Sequence, residues 1–210
     1  MSVSVHKNNK HYIMKKTLFI FVILSAFVLN SCEILNQASQ IAMLTKCEFR
    51  LGSLNNTQLA GVNVQNYNSF KDLKLTDVAK LTTSYAAGKL PVSFTLNVDI
   101  KNPNAQAAGL SKLDWILLID DVERLSGITE ERITIPANGG IATLPMNLSF
   151  DLMKVVEAGN LESLANLAMN LAGVGNKPTR VSLKAKPTVY VGSMPITYPN
   201  YLMIETEFTK

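Results

Sequence analysis

Apolar and polar residues alternate strictly from Ser93 to Lys101, and this alternation is the clearest pattern in the chain. Its apolar positions are Phe94, Leu96, Val98 and Ile100. Because successive side chains of a strand point to opposite faces, the pattern predicts a strand with one face in a core and the other in water. The strand should end at Asn102-Pro103-Asn104, since proline donates no backbone hydrogen bond and asparagine favours turns.

Several further segments carry strand signals. The apolar run over residues 113–119 predicts a strand that is buried on both faces, with Trp115 as a core anchor. Asp120-Asp121 is suited to the hairpin turn that follows this run, and Asn138-Gly139-Gly140 to a second turn. The remaining predicted strands cover residues 122–125, 133–135, 144–150, 179–191 and 201–209.

The first part of the domain is less regular. A first hairpin is predicted there, with Asn55-Asn56 in its tight turn and with Gly52 and Gly61 at bulges. Residues 70–81 give partial support to both the helical and the strand period, so both assignments stay open.

One helix interrupts the strands. Asn160 can cap its first turn, apolar residues recur at helical spacing up to Leu171, and Gly173 follows as a stop. Many short strands with a single helix predict an all-β fold, an antiparallel β-sandwich, rather than a parallel α/β fold. One domain over residues 47–210 accounts for the pattern.

Residues 15–32, upstream of this domain, have the pattern of a bacterial lipoprotein signal peptide. Two lysines, Lys15 and Lys16, precede an unbroken apolar run over residues 18–24, and Leu29-Asn30-Ser31-Cys32 places small or neutral residues before a cysteine. A transmembrane anchor is the alternative interpretation. The apolar stretch, residues 17–29, is short of the roughly 20 residues that a spanning helix needs.

We therefore expect residues 1–31 to be removed, with Met14 a more orthodox start for this leader than Met1. Acyl chains on Cys32 would then anchor the chain, because each buried methylene contributes about 0.8 kcal/mol and several chains give firm attachment. Residues 32–46 are interpreted as the lipidated N-terminus and its tether.

Removal of the leader changes the charge and the candidate chemistry. Four of the 20 basic residues lie in it, so 16 remain against 16 acidic ones over 179 residues. A net charge near zero argues against a nucleic-acid partner, which normally needs a basic face. Both histidines, His6 and His11, also lie upstream, which removes the usual general base and the commonest metal ligand. We therefore expect no cofactor and no metal.

The two cysteines have different expected roles. Cys32 is assigned to lipid, which leaves Cys47 without a partner for a disulfide within the chain. Cys47 stands at the start of a strand-like alternation, where a small buried hydrophobe is favoured over a reactive thiol.

Two carboxylate pairs, Asp120-Asp121 and Glu130-Glu131, are candidates for an acid/base couple. Adjacent residues on strands or turns point to different sides, so solvated surface charge is the favoured interpretation. The segment Gly173 to Lys177 is similar to a phosphate loop in composition, but it follows a helix and precedes a strand, the reverse of the required order. We expect no enzyme activity.

Three tyrosines near the C-terminus, Tyr190, Tyr198 and Tyr201, are separated by Pro195 and Pro199. They form either a contact patch for a protein or glycan partner, or a proline-rich connection that is packed by its own tyrosines. The sequence favours the proline-rich connection, with the contact patch as the alternative.

The order of these elements resembles the late embryogenesis abundant type 2 domain, also called the water stress and hypersensitive response (WHy) domain, in its bacterial lipoprotein version. The resemblance covers roughly residues 47–208, and its most specific piece is the alternating strand that ends in Asn102-Pro103-Asn104. It implies a fibronectin type III or immunoglobulin-like sandwich of two antiparallel sheets with one helix, in which this motif is structural. It implies no established catalytic residues, and plant relatives are associated with desiccation and stress tolerance.

Two hypotheses of function follow. The first is a lipid-anchored, non-catalytic envelope protein whose sandwich acts as a binding or scaffold module. The second is a stress-protective protein that stabilises membranes or client proteins. Glu33 after Cys32 differs from the aspartate that retains some lipoproteins at the inner membrane, so outer-membrane attachment in a Gram-negative bacterium is expected.

Overall fold

Two antiparallel sheets form the body of the protein in a computed structural model, which describes residues 42–156, 160–177, 179–191 and 193–206. The leader, Cys32 and Phe208 lie outside the described residues. The strands are β1 (Glu48–Leu59), β2 (Val62–Asn63), β3 (Pro91–Asn102), β4 (Ala108–Leu110), β5 (Lys112–Ile119), β6 (Val122–Thr129), β7 (Ile133–Ile135), β8 (Gly140–Asp151), β9 (Val181–Val191), β10 (Met194–Thr197) and β11 (Leu202–Ile204). The helices are α1 (Leu75–Ala86), α2 (Leu152–Val155) and α3 (Leu161–Leu171), with 3₁₀ turns at Val64–Asn66 and Phe70–Asp72.

The first sheet has the strand order β2-β1-β3-β8, and the second has the order β10-β9-β5-β6 with β11 also paired to β9. β4 and β7 pair with each other in a separate two-stranded ladder. The backbone N–H of Leu51 in β1 donates to the carbonyl of Glu205 just after β11, so the two sheets meet along that side. The predicted antiparallel β-sandwich is confirmed.

The alternating strand is β3, and its apolar positions face the core as predicted. Its buried residues pair in continuous register with those of β8, from Pro91 opposite Asp151 to Asn102 opposite Gly140. The rings of Phe94 and Phe150 meet edge to face with centroids 6.1 Å apart. Burial of each large apolar side chain contributes about 1.5–3 kcal/mol, so this pair of strands carries much of the core's stability.

The apolar run around Trp115 is β5, at the centre of the second sheet. Trp115 is 8% exposed and its Nε1 donates to Thr129 Oγ1 at 3.2 Å, which confirms its role in the core. Burial on both faces was predicted for the whole strand but occurs only over Leu117–Ile119, because Asp114 and Ile116 on the outer face stay partly exposed. Gly127 in β6 faces the indole closely, since an added Cβ there would lie 2.5 Å from Trp115 Cζ2.

Two predicted turns are confirmed by their backbone angles. Asp120 and Asp121 have φ values of 50° and 64°, and Asn138 and Gly139 have values of 57° and 81°. Asp, Asn and Gly tolerate this conformation, and at Asp120-Asp121 it matches the twist of the two strands that pair across the turn, β5 and β6.

The predicted first hairpin is wrong in its turn position. β1 runs unbroken through Asn55 and Asn56, and the turn falls at Ala60 and Gly61, with φ values of 46° and 77°. The positive φ of Asn56, 55°, is absorbed by a shift in the pairing of β1 with β3 between Asn55 and Gln58. Gly52 does lie at a bulge, between Leu51 and Leu54, as predicted.

The predicted helix is α3. Asn160 Oδ1 accepts from Ser163 N at 2.9 Å, and Gly173 follows the helix with a φ of 75°. A single helix was expected, but the undecided segment 70–81 contains most of a second long one, α1, and α2 follows β8. β10 was not predicted. The last strand was predicted over 201–209, but β11 ends at Ile204 and residues 207–210 lie outside the described part of the chain.

Candidate functional site

The motif Asn102-Pro103-Asn104 closes one end of the sandwich through a buried amide. Asn102 has no exposed surface, and its Nδ2 donates to the carbonyls of Gln106 (2.9 Å) and Ile135 (3.1 Å). Its Oδ1 accepts from the backbone N (3.0 Å) and the Nδ2 (2.6 Å) of Asn104. The side chain thus joins the end of β3 to β7 and to its own turn, which is a structural role.

The same turn holds the start of the described chain. Asn104 Nδ2 donates to the carbonyl of Met43 at 2.9 Å, and Leu44 and Cys47 are buried in the core. We call this end of the sandwich, with Met43, Glu48, residues 102–104 and β4, the tether end. The segment that arrives from Cys32 is therefore attached to the domain at a defined place.

Cys47 is buried, with 3% of its surface exposed, as predicted. Burial and then the charge of Glu48 raise the pKa of the thiol from 9.0 to about 11. A thiol with so high a pKa is almost entirely protonated near neutral pH, and the thiolate is the reactive form. The interpretation of Cys47 as a small hydrophobe is confirmed.

The three tyrosines lie along the outer edge of β9. β10 and β11 both pair with this edge, and residues 198–201 form the irregular piece between them. We call Tyr190, Tyr198 and Tyr201 with this piece the tyrosine edge. Tyr190 is partly exposed and pairs with Pro195, while Tyr201 is 47% exposed with Lys186 Nζ lying 5.3 Å from its ring centroid.

One face of the second sheet carries two of these tyrosines. Lys186 and Tyr190 alternate with core positions of β9, lie on its outer face and are partly exposed. Thr188 lies between them but is buried, with its hydroxyl 2.8 Å from Thr197 Oγ1. Tyr201 lies on the same outer face as Lys186, whereas Tyr198 is partly buried and its backbone N donates to Pro187 O at 2.8 Å. The structure thus brings Tyr190 and Tyr201 to one surface and leaves Tyr198 more enclosed. Residues 194–197 of this segment form β10, and residues 198–201 connect it to β11.

Neighbouring charges on this outer face are paired. Lys112 Nζ lies 3.1 Å from Asp114 Oδ1, and this hydrogen bond raises the pKa of the lysine. The charge of Lys112 is thus balanced by Asp114. Lys186, in contrast, places its ammonium group over the Tyr201 ring at the tyrosine edge.

The carboxylate pairs are surface groups. Asp120 Oδ1 accepts from Arg180 N at 3.0 Å, and Asp121 Oδ2 lies 2.7 Å from Arg180 Nη1. Glu130 and Glu131 are exposed after β6. Within the described ranges, no three His, Cys, Asp or Glu side chains converge as a metal site would need. The described helices are also too short or too polar to cross a bilayer.

A polar cleft that sequence reasoning missed lies between α3 and the 3₁₀ turn at Phe70–Asp72. It encloses about 450 Å³, and its lining includes Asn68, Lys71, Glu162, Asn166, Asn170 and Asn176. Two of its amides are used structurally, since Asn166 Oδ1 accepts from Phe70 N and Asn170 Oδ1 from Lys177 N. The Gly173 to Lys177 segment is therefore folded against the end of α3. Scattered asparagines on a helix give no pattern by which sequence could have located the cleft.

Comparison with known proteins assigns no family. No family model matches the chain, and no curated protein matches it. Among solved structures, a protein crystallised from Archaeoglobus fulgidus is similar at 12% identity and a TM-score of 0.32, over 73% of this chain and 91% of that chain. A likeness this distant assigns neither a family nor a function.

Proposed function

We propose that this protein is a lipid-anchored, non-catalytic component of the bacterial cell envelope, and that its β-sandwich is a binding or scaffold module. The observation that carries the proposal is the leader pattern ending at Cys32. The attachment of Met43 to Asn104 supports it, because a tethered module needs a firm connection between its anchor segment and its body. Outer-membrane attachment is proposed from Glu33, the residue after the acylated cysteine.

The tyrosine edge is proposed as the contact surface for an envelope protein or glycan. Tyrosine contributes a large apolar ring together with a polar hydroxyl, and it is enriched at interfaces. Tyr201 is the most accessible of the three, and Met203 beside it is 42% exposed. Lys186 over the ring adds a cation, which suits a partner with acidic or hydroxyl groups.

Affinity capture from cross-linked membranes tests this proposal. A partner captured at a constant ratio to the wild-type protein should be lost with Tyr201→Ala and reduced with Tyr198→Ala. Leu75→Ala is the matched control, because it truncates a side chain that is 84% exposed on α1, away from β9. Equal capture by all variants would remove the tyrosine edge from the proposal. A desiccation-sensitive deletion strain without any captured partner would favour the stress-protective alternative.

A further inference from the structure

Exposed apolar side chains lie around the tether end. Met194 is 67% exposed and Ile196 is 40% exposed in β10, next to the turn that joins it to β9. Ile141, at the start of β8, is 50% exposed. Single exposed apolar residues are ordinary, so the significance of these three depends on where the fold places them.

In the first sheet, Ile141 lies in one row with the start of the domain. Glu48 of β1 pairs with Lys101 of β3, and Lys101 pairs with Ile141 of β8. Two strand spacings, about 10 Å, therefore separate Ile141 from Glu48. Asn104, two residues beyond β3, holds Met43 at the same end.

In the second sheet, the β9–β10 hairpin projects at this end. After residues 102–104 the chain forms β4, and Ser111 N, just before β5, donates to Thr188 O at 3.0 Å. The first residue of β5, Lys112, is paired with Thr188, but β9 continues for three more residues to Val191. The hairpin that carries Met194 thus extends about 10 Å past the start of β5.

The length of chain before the described residues limits how far this end can lie from a membrane. Nine residues, 33–41, lie between Cys32 and residue 42, and these ten residue-to-residue steps span at most about 35 Å when fully extended. A tether this short turns docking into an intramolecular event with a high effective concentration. A few exposed apolar side chains, which would not bind a bilayer on their own, can then keep a tethered domain in contact with it.

We propose that the β9–β10 hairpin and Ile141 rest on the headgroup layer of the membrane to which Cys32 is anchored. The inference depends on the proposed lipid anchor and deepens it, since it states how the domain is oriented. Met194, Ile196 and Ile141 contact the lipid interface, and the opposite end of the sandwich, with Asp120 and Asp121, faces away. We name a lipid surface as the binding partner because the short segment after Cys32 keeps the tether end close to the membrane.

Single-cysteine fluorescence on the full acylated protein in phosphatidylethanolamine and phosphatidylglycerol vesicles tests the orientation. Met194→Cys and Ile141→Cys are labelled separately with an environment-sensitive dye, while Cys47 stays unlabelled because it is buried. Val122→Cys is the matched control, a 48% exposed apolar position of the hairpin at the opposite end of the same sheet. It lies seven strand residues from the tether end, about 23 Å away.

The labels at 194 and 141 should emit at shorter wavelength on vesicles and lose emission when nitroxide-bearing lipids are included, whereas the label at 122 should change in neither respect. Protein that floats with vesicles but shows no nitroxide quenching at 194 and 141 overturns the docking and leaves the anchor intact. A blue shift without quenching also overturns it, because residues 33–41 or a protein partner would then be the cover. Protein that does not float with vesicles overturns the anchor, and the docking with it.

Discussion

Removal of the Asn102 side chain should destabilise the protein more than any other single truncation of a polar group in its sheets. Asn102→Ala leaves the carbonyls of Gln106 and Ile135 and the backbone N of Asn104 without their partner. Each buried group left unsatisfied costs about 1–3 kcal/mol, and the partly buried ones lie at the low end of that range. The expected loss is therefore about 3–5 kcal/mol, out of a typical total of about 5–15 kcal/mol.

Urea unfolding followed by fluorescence measures this loss, because the chain has a single tryptophan, Trp115, which is buried in the core. Asn147→Ala is the matched control. The Asn147 side chain is exposed on β8, and its Oδ1 accepts a hydrogen bond from Thr95 Oγ1 at 2.9 Å. The control should change the free energy of unfolding by no more than about 0.5 kcal/mol. A loss of less than about 1 kcal/mol for Asn102→Ala would refute the structural role assigned to this amide.

Three further substitutions or conditions test the packing. Thr57 is fully buried and its hydroxyl has no hydrogen-bond partner among the described residues, so Thr57→Val should raise the free energy of unfolding by about 1 kcal/mol in urea titrations. Gly127→Ala should lower it by about 1–3 kcal/mol and shift the Trp115 emission, because the new methyl overlaps the indole. The Cys47 thiol should resist maleimide in the native protein at pH 8 and react after unfolding. Since its folded pKa, about 11, is above the unfolded value, its contribution to stability is fully present below pH 9 and falls as the pH rises from 9 to about 11.

Sequence reasoning predicted the parts of the fold in which side-chain periodicity and turn chemistry agree. Strand β3 alternates without exception because one face is buried along its whole length, and Asp120-Asp121 lies between two strands that pair directly. In such segments the local preference of the residues and the demands of the fold point to the same structure.

The errors occur where tertiary packing overrides the local signal. Asn55-Asn56 favours a turn, but the pairing of β1 with β3 absorbs Asn56 as an irregularity and the chain turns five residues later. Helix α1 buries only Leu81 completely and contains several β-branched or small polar residues, so its helical period was weak. The polar cleft and the gathering of exposed apolar residues at the tether end depend on contacts between distant segments, which a single sequence does not show.

The intact mass of the protein isolated from the membrane fraction of cells tests the lipid anchor most directly. The account predicts a chain that begins at Cys32 and carries the added mass of acyl groups, and a Cys32→Ser variant that lacks that mass. A chain that retains residues before Cys32, or an unmodified Cys32 in protein recovered from the soluble fraction, would contradict it.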